Sequence, residues 1–294
     1  MSAPIRGPIA VLGAGNMGGQ IAHQIALHGF DVRLWSRSEE RLARARSESE
    51  TLLSRRVEKG KLDTADRDAA MARVQVTTSL DDAVPQADLI IETISEDRGV
   101  KRELCSRLDE LAAVEAVVAT NSSTLPSSVF DDCFRRTDRL LNMHFFNPAL
   151  VMQLVEVVRG PHTSDTTVDR TTNFVKAIGK TPIRVAKESY GFLANRMLFI
   201  ALQEAFKLVE KGYVSVDDCD LAVRNALGWP LGPFALADLV GLDVVEAILQ
   251  EGTEQTRDAR WRPMPILSDR VRAGELGRKN GRGFTTEAEA ALQA

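Results

Sequence analysis

Cysteine is scarce in this chain of 294 residues: Cys105, Cys133 and Cys219 are widely spaced and odd in number. Such usage excludes a disulfide framework and a CxxC metal or redox pair, and it points to a reducing cytosol. No apolar run reaches the ~18 residues that a membrane span needs. The start, MSAPIRGPIAVLG, has none of the charged opening, long apolar block and cleavage site of a signal peptide, so a cytoplasmic protein is expected. Charge of one sign is missing too. A formal net charge of -4, with acids and bases intermixed, argues against nucleic-acid and anionic-membrane partners. No internal repeat is visible, and no metal site is expected.

A hydrophobic content of 44% is enough to bury a core in each of two domains. From Ile9 to about Ala186, short β-branched runs alternate with helical patterns. The runs are IAVLG, DVRLW, VQVTT, DLIIETI, AVVATN, LLNMHFF, QLVEVV and PIRVA. Helical patterns include Met17–His28, Glu39–Lys59, Val100–Leu111 and Val168–Ile178. Such alternation predicts βαβ units in an α/β, doubly wound, largely parallel sheet. The last strands lack intervening helices, which predicts an antiparallel extension at one edge.

Beyond Ala186 the strand pattern disappears. LANRMLFIALQEAFKLVEKG has helical spacing and ends on Gly212, and SVDDCDLAVRNALG runs from an N-cap at Ser215 to Gly228. A further helix is expected in PFALADLVGLDVVEAILQEG. The chain thus divides into an α/β domain, 1–187, and an all-helical domain, 188–294, whose tail from Glu275 reads as turn-like with a frayed end.

IAVLGAGNMGGQIAHQIALHG sets Gly13, Gly15 and Gly18 in GxGxxG spacing between the first strand and the first helix, with Asn16 and Met17 inside the loop. Gly13 permits a tight turn, Gly15 lets backbone approach a pyrophosphate, and Gly18 lets helix pack on strand. The helix N-terminus then faces the phosphates of a dinucleotide in a Rossmann-type domain. After the second strand, where an NAD site carries Asp or Glu on the ribose, stand Ser36, Arg37 and Ser38. Serine and arginine can donate to a 2′-phosphate that a carboxylate would repel, so NADP is favoured over NAD. The alternative is a solvated loop in which Glu39 or Glu40 reaches the ribose.

His144 and Glu156 are the next anomaly, since both lie in apolar runs that otherwise read as core strands. A buried carboxylate is costly unless paired, and imidazole is a fitting partner. A glutamate on one ring nitrogen fixes the tautomer and leaves the other nitrogen to take a proton, which suits a general base near neutral pH. The bland reading is a structural His–Glu pair.

The motifs GAGNMG, VEKGKL, DLIIETISEDRGVK, TNSSTL, HFFNPALVMQLVEVV, GFLANR, GWPLGPFALADLVGLD and GRKNGRGF together resemble the L-3-hydroxyacyl-CoA dehydrogenases, through nearly the whole chain. That resemblance implies hydride transfer at C3 of a 3-hydroxyacyl thioester. It makes His144 the catalytic histidine, Glu156 its carboxylate partner, and Ser123 the serine that hydrogen-bonds the substrate oxygen. Asn195 becomes the asparagine that faces the active site. Glu96, Lys101, Asn121 and Asn147 fall where the family contacts the nicotinamide half of the cofactor. Lys59 and Lys61, in SRRVEKGK, fall where it meets the CoA phosphates, or else form a solvated helix end. A homodimer through the helical domain is implied as well.

Departures from the family pattern are the missing acid after the second strand, Ser95 for proline in PED, Tyr190 for a common proline, and no tyrosine after Phe284, a site read as packing rather than chemistry. Three rivals follow. The acyl group could ride on a carrier protein instead of CoA. A β-hydroxyacid dehydrogenase would need a lysine one turn after Asn195, where Phe199 stands. A silent, crystallin-like cofactor binder is disfavoured by the intact Ser123, His144, Glu156 and Asn195 set.

Overall fold

Each of the eight β-branched runs forms a strand: β1 (Ile9–Leu12), β2 (Val32–Trp35), β3 (Val74–Thr77), β4 (Leu89–Glu92), β5 (Val117–Thr120), β6 (Leu140–Phe145), β7 (Leu154–Arg159) and β8 (Thr181–Val185). In this computed structural model, which describes residues 3–285, they join in one sheet of order β3-β2-β1-β4-β5-β6-β7-β8. Pairing is parallel from β3 through β6. Between β6 and β7 the chain reverses, and β8 then runs parallel to β7. The antiparallel joint is therefore confined to β6–β7. A helix does separate β7 from β8, contrary to the expectation that the last strands lack one, and this crossover is what allows their parallel pairing.

The helices of this part are α1 (Asn16–Ala26), α2 (Glu39–Glu58), α3 (Thr64–Arg73), α4 (Leu80–Ala83), α5 (Arg98–Leu111) and α6 (Asp165–Ala177). Alternation along β1 shows how the sheet is covered on both faces. Ile9 and Val11 pack with Ile21 and Ile25 of α1 and with Phe174 and Val175 of α6. Ala10 and Leu12 pack with Leu104 and Leu108 of α5 and with Phe130. β1, β4 and β5 are buried along their whole length, which is why they read as unbroken apolar runs. Helix α3 escaped the sequence pattern because only Ala70 and Met71 of its ten residues are buried, too few to show a helical period.

The chain divides into two units, one through Phe192 and one from Leu193. Residues 188–192, assigned above to the helical part, pack with the first unit. Glu188 Oε1 accepts from Ser127 Oγ at 2.7 Å and Ser128 N at 3.0 Å, and the Phe192 ring lies 5.7 Å from the His144 ring.

The second unit holds α7 (Ala194–Glu210), α8 (Val216–Leu227), α9 (Pro233–Val240), α10 (Leu242–Thr256) and α11 (Pro265–Arg272). Ser215 Oγ caps α8 by accepting from Asp218 N, and Gly228 ends it at φ +71°. The single further helix expected in PFALADLVGLDVVEAILQEG is two, broken at Gly241, whose φ of +100° interrupts the helical ladder. Phe206, Phe234 and Phe284 pack with ring centroids 4.9–5.5 Å apart, and the Arg270 guanidinium lies 4.4 Å over the Phe284 ring. Phe284 is thus a packing residue. The turn-like segment before it is tied to Asp238 through Arg278 N, which donates to the Asp238 carbonyl, and Phe284 N and Thr285 N donate to the buried Asp238 carboxylate. The expected frayed end, 286–294, lies outside the described residues.

Candidate active site

Strand order jumps from β1 to β4 at the centre of the sheet, and the crevice beyond that switch point is where open α/β sheets bind ligands. The glycine loop sits there. Gly13 has φ +120°, and a Cβ on Gly18 would lie 1.8 Å from the Gly13 carbonyl oxygen, so the loop closes only with glycine at both. Gly15 differs: a Cβ there would meet nothing within 4 Å, and the residue is exposed. Gly15 also N-caps α1 with no side-chain hydrogen bond, so the first N–H groups of the helix face open space. That combination fits a pyrophosphate. Asn16 is exposed in the loop, while Met17 packs its side chain against the core.

The β6–β7 reversal builds the next part. Its register sets His144 directly opposite Glu156. His144 Nδ1 lies 2.8 Å from Glu156 Oε2, and both residues are buried, Glu156 completely. A carboxylate in such a place demands a donor, so the Nδ1 proton is the one it takes. Nε2 is then left as an acceptor, and Ser123 Oγ stands 3.0 Å from it. The Phe146 and Phe192 rings flank the imidazole with centroids at 4.6 and 5.7 Å. Phe192 holds φ at +45°, an uncommon conformation for a bulky residue that strains the connector beside the site.

A second network holds Ser123 in place. Glu96 accepts from Ser122 Oγ at 2.6 Å and from Ser123 N at 3.2 Å. Beneath it, Glu92 at the end of β4 accepts from Ile94 N, Thr120 Oγ1 and Lys101 Nζ, each at 2.7 Å. Lys101 is only 1% exposed, and its ammonium lies 3.9 Å from Glu96. Lys101 is thus buried against two carboxylates, with its ammonium bonded to both oxygens of Glu92. Glu92, Thr120 and Ser122 were not singled out in the sequence.

The remaining expected residues fall as follows. Asn121 Oδ1 accepts from Phe145 N at 2.9 Å, bracing the end of β6. Asn147 Oδ1 accepts from Asn16 Nδ2 at 3.0 Å, which ties the β6–β7 turn to the glycine loop. Leu150 of that turn packs on Leu53 of α2 and Met71 of α3, and Lys180 Nζ donates to Met152 O. Ser36, buried at the end of β2, accepts weakly from Ser38 N at 3.3 Å; Arg37 is exposed with no partner among the described residues. Lys59 is the C-cap of α2 and Lys61 follows it, both exposed and outside any ion pair among the described residues. Asn195 is the second residue of α7 and belongs to the other unit.

The model of the 3-hydroxyacyl-CoA dehydrogenase NAD binding domain matches residues 8–189, and that of the 3-hydroxyacyl-CoA dehydrogenase C-terminal domain matches 191–287. A probable 3-hydroxybutyryl-CoA dehydrogenase of Deinococcus radiodurans is 38% identical over 274 residues, covering 93% of this chain and 98% of that one. The human mitochondrial hydroxyacyl-coenzyme A dehydrogenase is 38% identical over 283 residues, covering 94% and 90%. The crystal structure of (S)-3-hydroxybutyryl-CoA dehydrogenase from Ralstonia eutropha superposes with a TM-score of 0.91 at 35% identity, covering 96% of this chain and 99% of that one. Sequence, fold and matched length agree: the chain belongs to the 3-hydroxyacyl-CoA dehydrogenase family.

Proposed function

We propose that the chain is a cytoplasmic enzyme that moves a hydride between a nicotinamide dinucleotide and C3 of a 3-hydroxyacyl or 3-oxoacyl thioester carried on CoA. The observation that carries this reading is the buried chain Glu156–His144–Ser123 beside a glycine loop that fits a pyrophosphate. When bound, the dinucleotide supplies the hydride acceptor or donor. His144 Nε2 takes the 3-hydroxyl proton in oxidation and returns it in reduction. Glu156 keeps the proton on Nδ1 and steadies the imidazolium. Ser123 Oγ, held by Glu96 through its own backbone, orients the reacting oxygen, and the family pattern assigns Asn195 to the substrate as well. Gly13, Gly15, Asn16 and Gly18 hold the phosphates; Glu96, Asn121 and Asn147 serve the nicotinamide side, and Lys59 and Lys61 the CoA phosphates.

For the adenosine end we favour NADP, because Ser36 and an unpartnered Arg37 stand where a ribose-binding carboxylate would repel it. A charge-assisted hydrogen bond contributes ~1.5–3 kcal/mol, equivalent to a roughly 10–150-fold preference. Purified protein should consume NADPH with acetoacetyl-CoA at a kcat/KM higher than NADH by that ratio, and Ser36→Asp with Arg37→Ala should reverse it. Equal or NADH-favouring values sink the cofactor assignment. No turnover with any 3-oxoacyl-CoA sinks the function, and faster turnover of the same acyl group on a carrier protein moves the substrate there. The helical unit exposes Met197 (67%), Tyr213 (75%) and Leu227 (67%), which supports pairing with a second copy. Light scattering at assay concentration tests it: a monomer mass removes the dimer.

A further inference from the structure

His144 is not the only polar side chain buried in β6. Asn142, two residues earlier and on the same face of the sheet, is 0% exposed. A primary amide in such a place is costly unless its donors and its acceptor all find partners. They do. Oδ1 accepts from Ser127 N at 2.7 Å, and Nδ2 donates to Leu125 O at 3.0 Å and to Ser122 O at a longer 3.4 Å. Turned the other way, Nδ2 would face an N–H and Oδ1 two carbonyls, so the amide has one workable orientation.

All three partners belong to the stretch of chain that carries Ser123. Residues 121–126 lie between β5 and a short 3₁₀ helix, Ser127–Cys133, and form neither helix nor strand. Ser122, Leu125 and Ser127 are nevertheless buried, so their peptide groups cannot turn to water. Asn142 replaces the missing ladder at three points, and one of them bears directly on Ser123. The Ser122 carbonyl and the Ser123 N–H belong to a single planar peptide unit. Asn142 holds the carbonyl side, and Glu96 Oε1 accepts from the N–H side at 3.2 Å. With that plane pinned from both sides, the Ser123 side chain leaves the backbone in one direction, and Oγ comes to lie 3.0 Å from His144 Nε2. Thr120 and Asn142 pair in register across β5 and β6, so Ser123 takes its reference from the strand that also carries His144.

We infer that Asn142 is a positioning residue for the reaction: it sets Ser123 Oγ against His144 Nε2 by tying the Ser123 segment to β6, and it acts through Ser123 rather than on the substrate. The inference rests on the reading above in which Ser123 Oγ orients the reacting oxygen. Misplacing such a group by ~1 Å costs about 10²-fold in rate. The effect of Asn142 therefore falls on turnover and leaves dinucleotide binding, which belongs to the glycine loop, nearly untouched.

The test is a double-mutant cycle on the full chain, read as kcat/KM for acetoacetyl-CoA with the preferred reduced dinucleotide. Asn142→Leu keeps roughly the same size and removes every hydrogen bond of the amide. It should lower kcat/KM roughly 10–100-fold, while dinucleotide affinity, by fluorescence titration, stays within a few-fold. In a Ser123→Ala background the same change should cost less than about threefold, because the group it positions is gone. Asn142→Ser, which adds no bulk and is too short to span the three partners, gives the same comparison should Asn142→Leu fail to fold. Equal losses with and without Ser123 show a structural role only and overturn the proposal. A wild-type rate in the Asn142 variants, beside a loss in Ser123→Ala, sinks the inference alone. Full rate in Ser123→Ala removes the reading of Ser123, and this inference with it.

Discussion

Replacing Glu92 by glutamine should cost stability far beyond what a one-atom change suggests. Its two oxygens serve Lys101, Thr120 and Ile94, each at 2.7 Å, and every contact requires an acceptor. A glutamine amide nitrogen cannot accept, so in either orientation one of Thr120 and Ile94 faces a donor. Lys101, 1% exposed, loses its main counter-charge, and the remaining carboxylate, Glu96, lies 3.9 Å away with a side chain 48% exposed. Removing one partner of a buried pair costs about 3–5 kcal/mol. For a unit of this size each kcal/mol moves Tm by ~2–4 °C, so a fall of ~6–20 °C is expected, toward the lower end because Glu96 partly compensates. The assay is thermal unfolding without cofactor. Glu92→Gln with Lys101→Met, which removes the buried charge altogether, should recover at least half of the loss. A fall under ~2 °C, or a double variant less stable than the single one, would refute this account.

His144→Gln should abolish turnover while dinucleotide affinity, measured by fluorescence titration, stays within a few-fold; activity within tenfold of wild type removes His144 from the chemistry. Glu156→Gln should keep the fold and lose rate by ~10²–10⁴, and full rate at neutral pH would end the orienting role. His23 supplies a pH dependence. Burial holds its imidazole below the usual 6.5, and its Nε2 is buried without a partner. The unfolded chain therefore binds the proton first as pH falls through 6.5, and stability is lost from there down to the lower folded value. His23→Gln should flatten Tm between about pH 7.5 and pH 5.5; an unchanged slope in that variant shows that other groups set it.

His144 and Glu156 were legible because a charge or imidazole inside an apolar strand is an anomaly that demands a partner. Glu92 carries the same signal within DLIIETI, but its charged partner is not in a neighbouring strand. Lys101 sits nine residues on, inside helix α5. Pairing across elements leaves no spacing to read. The eight strands could be read because burial on both faces removes polar residues from them, whereas α3, with two buried residues, shows no period. The break at Gly241 was hidden for another reason. Both flanking helices are apolar, and one glycine within an apolar run is also tolerated inside a single helix.

The reversal between β6 and β7 has a further consequence. In a wholly parallel sheet, residues facing each other across neighbouring strands are separated by an entire crossover. Here His144 and Glu156 are twelve residues apart on one hairpin, so their meeting depends on local chain geometry rather than on long-range assembly. The dependence is also strict. Side chains alternate between faces, and a shift of one residue in pairing would turn Glu156 to the other side of the sheet. Residues 146–153 are anchored at both ends, through Asn147 to Asn16 and through Met152 to Lys180, which fixes how much chain the turn takes up. The length of that turn thus sets the register in which His144 meets Glu156.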